Sequence, residues 1–394
     1  MSNSNYKLII YSSNPVQYQT PIYKELVKTN IDFTVLFGDE IGFKSFVQKE
    51  TGITIQWDID LLSGYKYKFM KNYSRDSREG FFSRINPSIY FELYKYKPEV
   101  VLIHGYDTFT TWFTLIAAKI INIKIIWRGE SVLRGIENEN SLKQTIKKLI
   151  LKKFFKACDA VMYSCSGNKE YLKFYGVSRD KLFPFPCAVD NDFFQNERMK
   201  YNSEVKSIKK EIGIDLNDMV VLFSARFTIR KRPVDLLNAL AKIDSRNITV
   251  LLVGDGSERL VMESFVKDNN IKAVFTGFQN QTEISKYYFI SDVSVIISDY
   301  DPSPKTMNEV MNFELPIIVT DVVGTAYDLV QDGENGFIVN VGDIDTISKK
   351  IDFLNKNRDE LKKMGKKSFE TVQNWNYKED VKGILDAFKH VTNL

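Results

Sequence analysis

The sequence predicts an α/β protein of two doubly wound domains, and three observations carry that prediction. The chain is 394 residues long, more than a single hydrophobic core usually serves. Short apolar runs alternate with helical patterns along its length, and the runs are continuous rather than alternating, as strands covered on both faces require. A join between two such series lies near residues 187–205, where Cys187 through Phe194 gives way to the polar stretch 195–203. Parallel sheets with crossover helices follow from the pattern.

The first series places strands at residues 8–12, 33–37, 100–104, 123–127 and 160–163. The second places them at 220–224, 249–253, 273–276, 293–297 and 317–320. Residues 40–98 are rich in Tyr, Phe, Lys and Arg and give no regular pattern. Residues 375–390 have helical periodicity and come after the second series. The division is therefore 1–195 for a first domain, 196–374 for a second, and 375–394 for a helix returning to the first. No internal repeat or low-complexity segment interrupts this order.

Composition narrows the class. With 44% hydrophobic and 26% charged residues, the chain reads as a soluble globular protein. The first apolar run is strand-length and stops at Asn14-Pro15, which argues against a secretory signal. No run approaches the roughly 18 to 20 apolar residues of a membrane-spanning helix. Cys158, Cys165 and Cys187 are an odd number without metal-site spacing, and are expected as small buried side chains in a reducing cytoplasm. Residues 1–200 carry a net +8 and residues 201–394 a net −4, so the first domain is the one suited to a negatively charged surface or substrate. The overall +4 is modest and no nucleic-acid module is present, which disfavours a nucleic-acid partner.

Four stretches could carry chemistry. In Asp301-Pro-Ser-Pro-Lys-Thr-Met-Asn-Glu309, Ser303 is placed as the N-cap of a helix and Pro304 as its first residue, behind the strand at 293–297. Such a helix start, with Lys305 and Thr306 in its first turn, favours an anion. Arg226, Arg230, Lys231 and Arg232 follow the strand at 220–224 and are placed to meet phosphate, although a solvated basic loop reads equally from the residues. Gly254 and Gly256 follow a third strand but lack both the dinucleotide fingerprint and a Walker lysine, so tight turns explain them as well. His104 ends a strand of the first domain and precedes Gly105, whereas His390 lies on the last helix and is expected to be exposed. Finally, residues 142–156 have helical spacing of Leu142, Ile146, Leu149 and Ile150 with six lysines elsewhere, which suits an anionic membrane surface or simply a wet helix face.

Taken in order, these residues resemble glycosyltransferase family 4. The resemblance rests on Arg226 and Lys231 after a strand, Val253-Gly-Asp-Gly256, Phe275-Thr-Gly277, Asp301 through Glu309, Pro316 through Asp321, and Asp332-Gly-Glu-Asn-Gly336. The seven residues between the two acids match the spacing of the family's paired glutamates. In the first domain Asn14 through Pro21, Trp57 through Tyr65, His104-Gly-Tyr106, Arg128-Gly-Glu130 and Tyr175-Gly-Val177 are similar to a subset found among bacterial surface-polysaccharide enzymes.

The resemblance implies a GT-B fold, two Rossmann-like domains facing a central cleft, and a retaining transfer from a nucleotide sugar, most readily a UDP- or GDP-sugar. It assigns the ribose hydroxyls to Glu309, donor-sugar hydroxyls to Asp301, the diphosphate to Arg226 and Lys231, and the base to backbone near Phe278. Gly254, Ser303, Lys305 and Thr306 join the donor side. His104 matches a cleft histidine, and Asn14, Gln17, Tyr18, Arg128 and Glu130 fall on the acceptor side. No cofactor and no metal are implied. The acceptor is expected to be a glycan or a lipid-linked molecule at the inner face of the cytoplasmic membrane. Two departures stand out: Asp301 replaces the usual glutamate, and Pro302-Ser-Pro304 replaces a glycine-containing loop, removing two backbone N–H donors. An epimerase or phosphorylase of the same fold, or a protein that binds nucleotide sugars without turning them over, are the alternatives.

Overall fold

The computed structural model describes residues 6–43, 46–47, 54–55, 57–77, 80–133, 141–201, 204–245 and 247–393. The chain divides into two compact units: Met1–Phe46, Ile55–Cys187 and Tyr377–Leu394 form one, and Val47–Thr54 and Ala188–Asn376 the other. The change of unit thus comes at the start of the stretch 187–205 where the join is read, eight residues before the polar part begins at Gln195. Its cause is Val189 and Phe194, apolar residues at and beyond the break that sink into the core of the second unit.

In chain order come β1 (Tyr6–Ser12), β2 (Ile31–Phe37), β3 (Phe46–Val47), β4 (Thr54–Ile55), β5 (Tyr67–Phe69), β6 (Val100–His104), β7 (Lys124–Gly129), β8 (Ala160–Tyr163) and β9 (Leu182–Pro184); all lie in the first unit except that β3 and β4, which form a two-stranded sheet of their own, give Val47 and Thr54 to the second. Seven strands make one sheet in the order β5-β2-β1-β6-β7-β8-β9, every pair parallel. The second unit contains β10 (Met219–Ser224), β11 (Ile248–Val253), β12 (Ala273–Gly277), β13 (Val293–Ile296), β14 (Ile317–Thr320) and β15 (Gly336–Val339). Its sheet runs β12-β11-β10-β13-β14-β15 and is also parallel throughout.

All ten runs read as strands are strands, and their continuous apolar character has the expected cause. Every residue of β6, β10 and β11 is buried because helices cover both faces. The strands absent from the sequence reading are the two-residue β3 and β4 and the edge strands β5, β9 and β15 of three or four residues, all with too few positions for a pattern. The helix Tyr377–Thr392 buries Val381, Ile384, Ala387, Phe388 and Val391 against Leu8, Ile10 and Leu102 in the core of the first unit.

Both sheets have the same winding. The first strand of each unit sits between the second and the fourth, so the chain reverses its direction of travel across the sheet beside β1 and beside β10. Such reversals open a crevice at the carboxyl ends of the strands, where ligands of this architecture bind. In the first unit that point lies between β1 and β6; in the second it lies between β10 and β13.

Candidate functional site

In the second unit, two loops bound the reversal point. After β10 the chain runs through Ala225, Arg226 and the buried Phe227 into a short turn, Ile229–Lys231, and Arg232 takes the left-handed conformation (φ 55°) before the helix Pro233–Ala241. After β13 it runs to Asp301 and into the helix Lys305–Met311. The loops are stitched together: Arg230 Nη1 donates to Tyr300 O at 2.5 Å, Asp299 N donates to Arg230 O at 3.0 Å, and the Lys231 ammonium pairs with the Asp301 carboxylate.

The two loops enclose a pocket of about 210 Å³ whose lining includes Arg226, Arg230, Lys231, Asp301, Lys305 and Thr306. Four cations and one carboxylate therefore converge on a space the size of a small polar group. Lys231 and Asp301 are both nearly buried. Burial pulls the Lys231 ammonium below its ordinary pKa, Asp301 opposes that pull, and the neighbouring Arg230 and Arg226 add to it. Arg232 is turned away, held by Asp235 at 2.6 Å.

The helix start differs from the sequence reading. Its first residue is Lys305, Pro304 occupies the capping position with extended geometry (φ −66°, ψ 117°), and no side chain caps it. Ser303 is buried and its hydroxyl accepts from Lys305 Nζ at 3.3 Å, so it is not the N-cap. The positive character of the pocket comes from side chains rather than from a capped helix of seven residues. Thr306 Oγ1 reaches Ser224 O at 3.4 Å, tying this helix across the reversal point to β10.

Glu309 is half-buried one turn further on, and its carboxylate accepts from the Tyr288 hydroxyl at 2.7 Å. Tyr288 is fully buried and also lies 3.4 Å from Ser224 Oγ. Burial raises the Glu309 pKa above its ordinary value, and the Tyr288 hydrogen bond holds it down. Sequence reasoning missed Tyr288, because a tyrosine on the helix Gln281–Phe289 reads as core until its hydroxyl is placed. Gly254 and Gly256 have positive φ, and a Cβ on either would sit 2.0 Å from Ala225 O or 2.4 Å from Phe227 O, so only glycine lets this loop meet the cationic one. Phe278 lies beyond β12, partly exposed, and neither it nor Gly254 lines the pocket.

In the first unit the reversal point is filled. His104 ends β6 with 9% of its surface exposed. Gln19 follows β1, and its side-chain nitrogen lies 3.1 Å from His104 Nδ1. Arg128, buried at the end of β7, reaches the same Nδ1 at 3.4 Å, pairs with Glu130, contacts the Cys187 thiol and stacks on Phe185. Cys187 is therefore more than the small buried hydrophobe expected of it. It adopts φ 54°, and its N–H donates to Asp380 at 2.8 Å. Burial first, then the Arg128 charge, push the His104 pKa down to about 3. The structure thus joins His104, Arg128 and Glu130 in one network. Asn14 hydrogen-bonds only locally, to Pro15 O, while Gln17 has a buried Oε1 without a partner among the described residues and Tyr18 is half-buried. Gln19 and Cys187 were not anticipated; the only sequence signal for Gln19 is its place behind the first strand. His390 is exposed beside Phe183.

Comparison with known proteins bears on these two units differently. Residues 204–371 match the family described as glycosyl transferases group 1. The second unit is a group 1 glycosyl transferase domain. Over 180 residues the chain is 27% identical to N-acetyl-alpha-D-glucosaminyl L-malate synthase of Bacillus anthracis, covering 45% of this chain and 47% of that one. It is 28% identical over 180 residues to alpha-monoglucosyldiacylglycerol synthase of Acholeplasma laidlawii, covering 44% of each. The chain thus spans about half the length of the curated relatives it matches. HepE of Anabaena, solved with UDP, superposes with a TM-score of 0.75 over 99% of this chain and 100% of its own, at 15% identity; it has also been solved with UDP-glucose. The likeness extends the fold beyond the glycosyl transferase domain: both units together constitute a GT-B fold.

Proposed function

We propose that the protein is a glycosyltransferase that moves a sugar from a nucleotide-diphosphate donor to a hydroxyl of a glycan or lipid-linked acceptor, with retention of configuration and without a metal. The observation that carries the reading is the pocket at the β10/β13 reversal, where Arg226, Arg230, Lys231 and Lys305 converge beside a Glu309 anchored by Tyr288. A diphosphate has the charge and the size for such a pocket. When the bond to the sugar breaks, negative charge grows on the leaving phosphate, and preorganised cations stabilise it most. Glu309 offers carboxylate oxygens to ribose hydroxyls, and Asp301 reaches the donor sugar from the far side of Lys231. Support for a nucleotide sugar comes from HepE, solved with UDP and with UDP-glucose.

The first unit is read as the acceptor side, with His104, Arg128, Glu130, Asn14, Gln17 and Tyr18 as its polar contacts. Its helix Leu142–Ala157 turns Leu142, Ile146, Leu149 and Ile150 to solvent, the first of them 77% exposed, among six lysines. Apolar anchors among lysines suit the surface of an anionic bilayer. Among the described residues no helix is long and apolar enough to cross a membrane. The proposed setting is therefore peripheral, at the inner face of the cytoplasmic membrane, in the synthesis of a surface polysaccharide or glycolipid. A relative named for glycolipid synthesis agrees with that setting.

The test is a thermal-shift panel of UDP-, GDP-, dTDP-, ADP- and CMP-sugars on the wild type and on Glu309→Ala. A ligand at 100 times its Kd adds about 2.7 kcal/mol of stability. A shift with one nucleotide class that Glu309→Ala removes is the expected result. No shift with any of them overturns the donor assignment, and a shift without turnover over a range of acceptors favours a binding protein instead.

A further inference from the structure

Among the described residues, the groups that reach Nδ1 of His104 are donors. The Gln19 side-chain nitrogen lies 3.1 Å from it and Arg128 Nη1 3.4 Å. A guanidinium has N–H groups and no acceptor, so a hydrogen on Nδ1 would face it donor to donor. The Gln19 amide adds a second donor: its oxygen accepts from Tyr23 Oη at 3.1 Å, which turns the NH₂ group to the imidazole, while the single hydrogen of Ser12 Oγ lies nearer Asn14 O, at 3.1 Å, than that oxygen, at 3.3 Å. Gln19, Ser12 and Tyr23 are all buried, so water does not compete for these bonds.

With Nδ1 accepting, the ring hydrogen of a neutral imidazole sits on Nε2. That atom is buried and has no partner among the described residues. Protonation of both nitrogens is opposed by burial and by the Arg128 charge, while Glu130, the remaining charged group near the ring, works the other way. We infer that Gln19 and Arg128 lock His104 in the neutral Nε2–H form, so that it offers a hydrogen-bond donor, and not a base, at the β1/β6 reversal point. Gln19 is then a positioning residue, acting through the tautomer of its neighbour. Abstraction of an acceptor proton by His104 would need a lone pair on Nε2, the atom that holds the hydrogen. For its consequence in catalysis the inference rests on the transferase reading; the tautomer itself does not.

The chain has two histidines, so a two-bond ¹H–¹⁵N correlation spectrum of the full-length protein labelled at histidine contains two rings, and His390→Gln identifies the second. The expected spectrum for His104 has a pyridine-like Nδ1 and a pyrrole-like Nε2 that stay unchanged from pH 8 to pH 5. Gln19→Glu puts an acceptor against Nδ1 and moves the ring toward the Nδ1-protonated or doubly protonated form. A pyrrole-like Nδ1 in the wild type, or titration of His104 within that range, overturns the inference without any variant. An unchanged ring in folded Gln19→Glu removes Gln19 from it. If the nucleotide-sugar panel is silent while the tautomer is as expected, the transferase reading has failed and the inference about the ring has not.

Discussion

Two sheets of the same winding meet their reversal points in opposite ways. At β10/β13 the second unit leaves a pocket of about 210 Å³ and surrounds it with cations on two loops. At β1/β6 the first unit closes the space with Gln19, His104 and Arg128, all buried and bonded to one another. The difference teaches that winding alone fixes where a ligand can enter, while side chains decide whether the crevice is open or already occupied by the protein's own polar groups. An open crevice puts its charges to use in binding. A filled one puts them to use in holding the fold and fixing the state of a single ring.

The sharpest way to break this contrast is to remove a charge from each crevice and compare what is lost. Arg128→Met removes the ion-pair partner of the partly buried Glu130 and the buried donor shared by His104 and Cys187, and the loss should approach the roughly 3 to 5 kcal/mol that breaking a fully buried pair from one side costs. The loss should appear as lower resistance to urea by tryptophan fluorescence, since Trp57, Trp112 and Trp127 lie in the first unit. In the second unit, Lys231→Met should lower kcat/KM by about 10² to 10³-fold, the range for losing one group that stabilises transition-state charge. It also leaves Asp301 unpaired, so some stability is lost with it. Adding Asp301→Asn should restore the stability and leave the activity low. Recovery of both would place Lys231 in the fold and not in the chemistry, and the contrast would collapse.

Acid gives a smaller and more selective probe. The folded-state pKa of His104 lies near 3, below that of an exposed histidine at about 6.5. Below pH 6.5 the unfolded chain takes up a proton that the folded chain refuses, so this residue's contribution to stability is intact above that pH and falls as pH drops toward 3. The slope approaches roughly 1.4 kcal/mol per pH unit. His104→Gln should flatten the acid limb of the urea midpoint against pH by that amount; an unaltered limb would mean that other groups carry it.

What the sequence made legible follows the same division. The second unit's loops could be read because each candidate residue sits at a fixed offset from a strand end: Arg226 and Lys231 behind β10, Asp301 and Glu309 behind β13. The nine interior strands were legible because burial on both faces makes them continuous apolar runs, and the edge strand β12 because its Ala273-Val-Phe-Thr276 is apolar enough to read as one. The network in the first unit was only partly legible. His104, Arg128 and Glu130 stand beside strand ends, yet Gln19 and Cys187 join them from 85 and 83 positions away from His104, through contacts that no local pattern records. Tyr288 escaped for a related reason, since its apolar ring satisfies helix periodicity and only the hydroxyl is chemical. The helix start at Pro304 was misplaced by one residue because Ser303, a good cap by type, has its hydroxyl engaged by Lys305.

Tyr288→Phe asks whether Glu309 is tuned or merely placed. The hydroxyl's hydrogen bond lowers a carboxyl pKa that burial has raised, so removing it lets that pKa climb further. On the proposed reading the carboxylate binds ribose hydroxyls, so nucleotide affinity should rise as pH passes upward through this pKa, and in Tyr288→Phe the rise should come at higher pH. On the acid side of that rise the variant should bind about tenfold more weakly, in keeping with a hydrogen bond to a charged group at the low end of its usual worth. Titration of the nucleotide from pH 5 to pH 8 measures both. A uniform loss at every pH would make Tyr288 a packing residue.

The smallest effect separates the two units by surface rather than by crevice. The basic surplus belongs to the first half of the chain, and on the helix Leu142–Ala157 the exposed Lys153 follows the exposed Leu149 by one turn. A lysine at an anionic bilayer is worth about 1 kcal/mol, so Lys153→Gln should weaken sedimentation with phosphatidylserine vesicles roughly fivefold at low salt. The difference should shrink as salt rises, because screening removes the charge term and leaves the apolar one. Leu149→Gln should weaken binding at low and high salt alike, since its contribution is burial of apolar surface. If neither change matters, the lysine face is solvated and the first unit meets its acceptor away from a membrane. If only the lysine matters, the attraction is electrostatic steering without insertion, and the four exposed apolar side chains have some other partner.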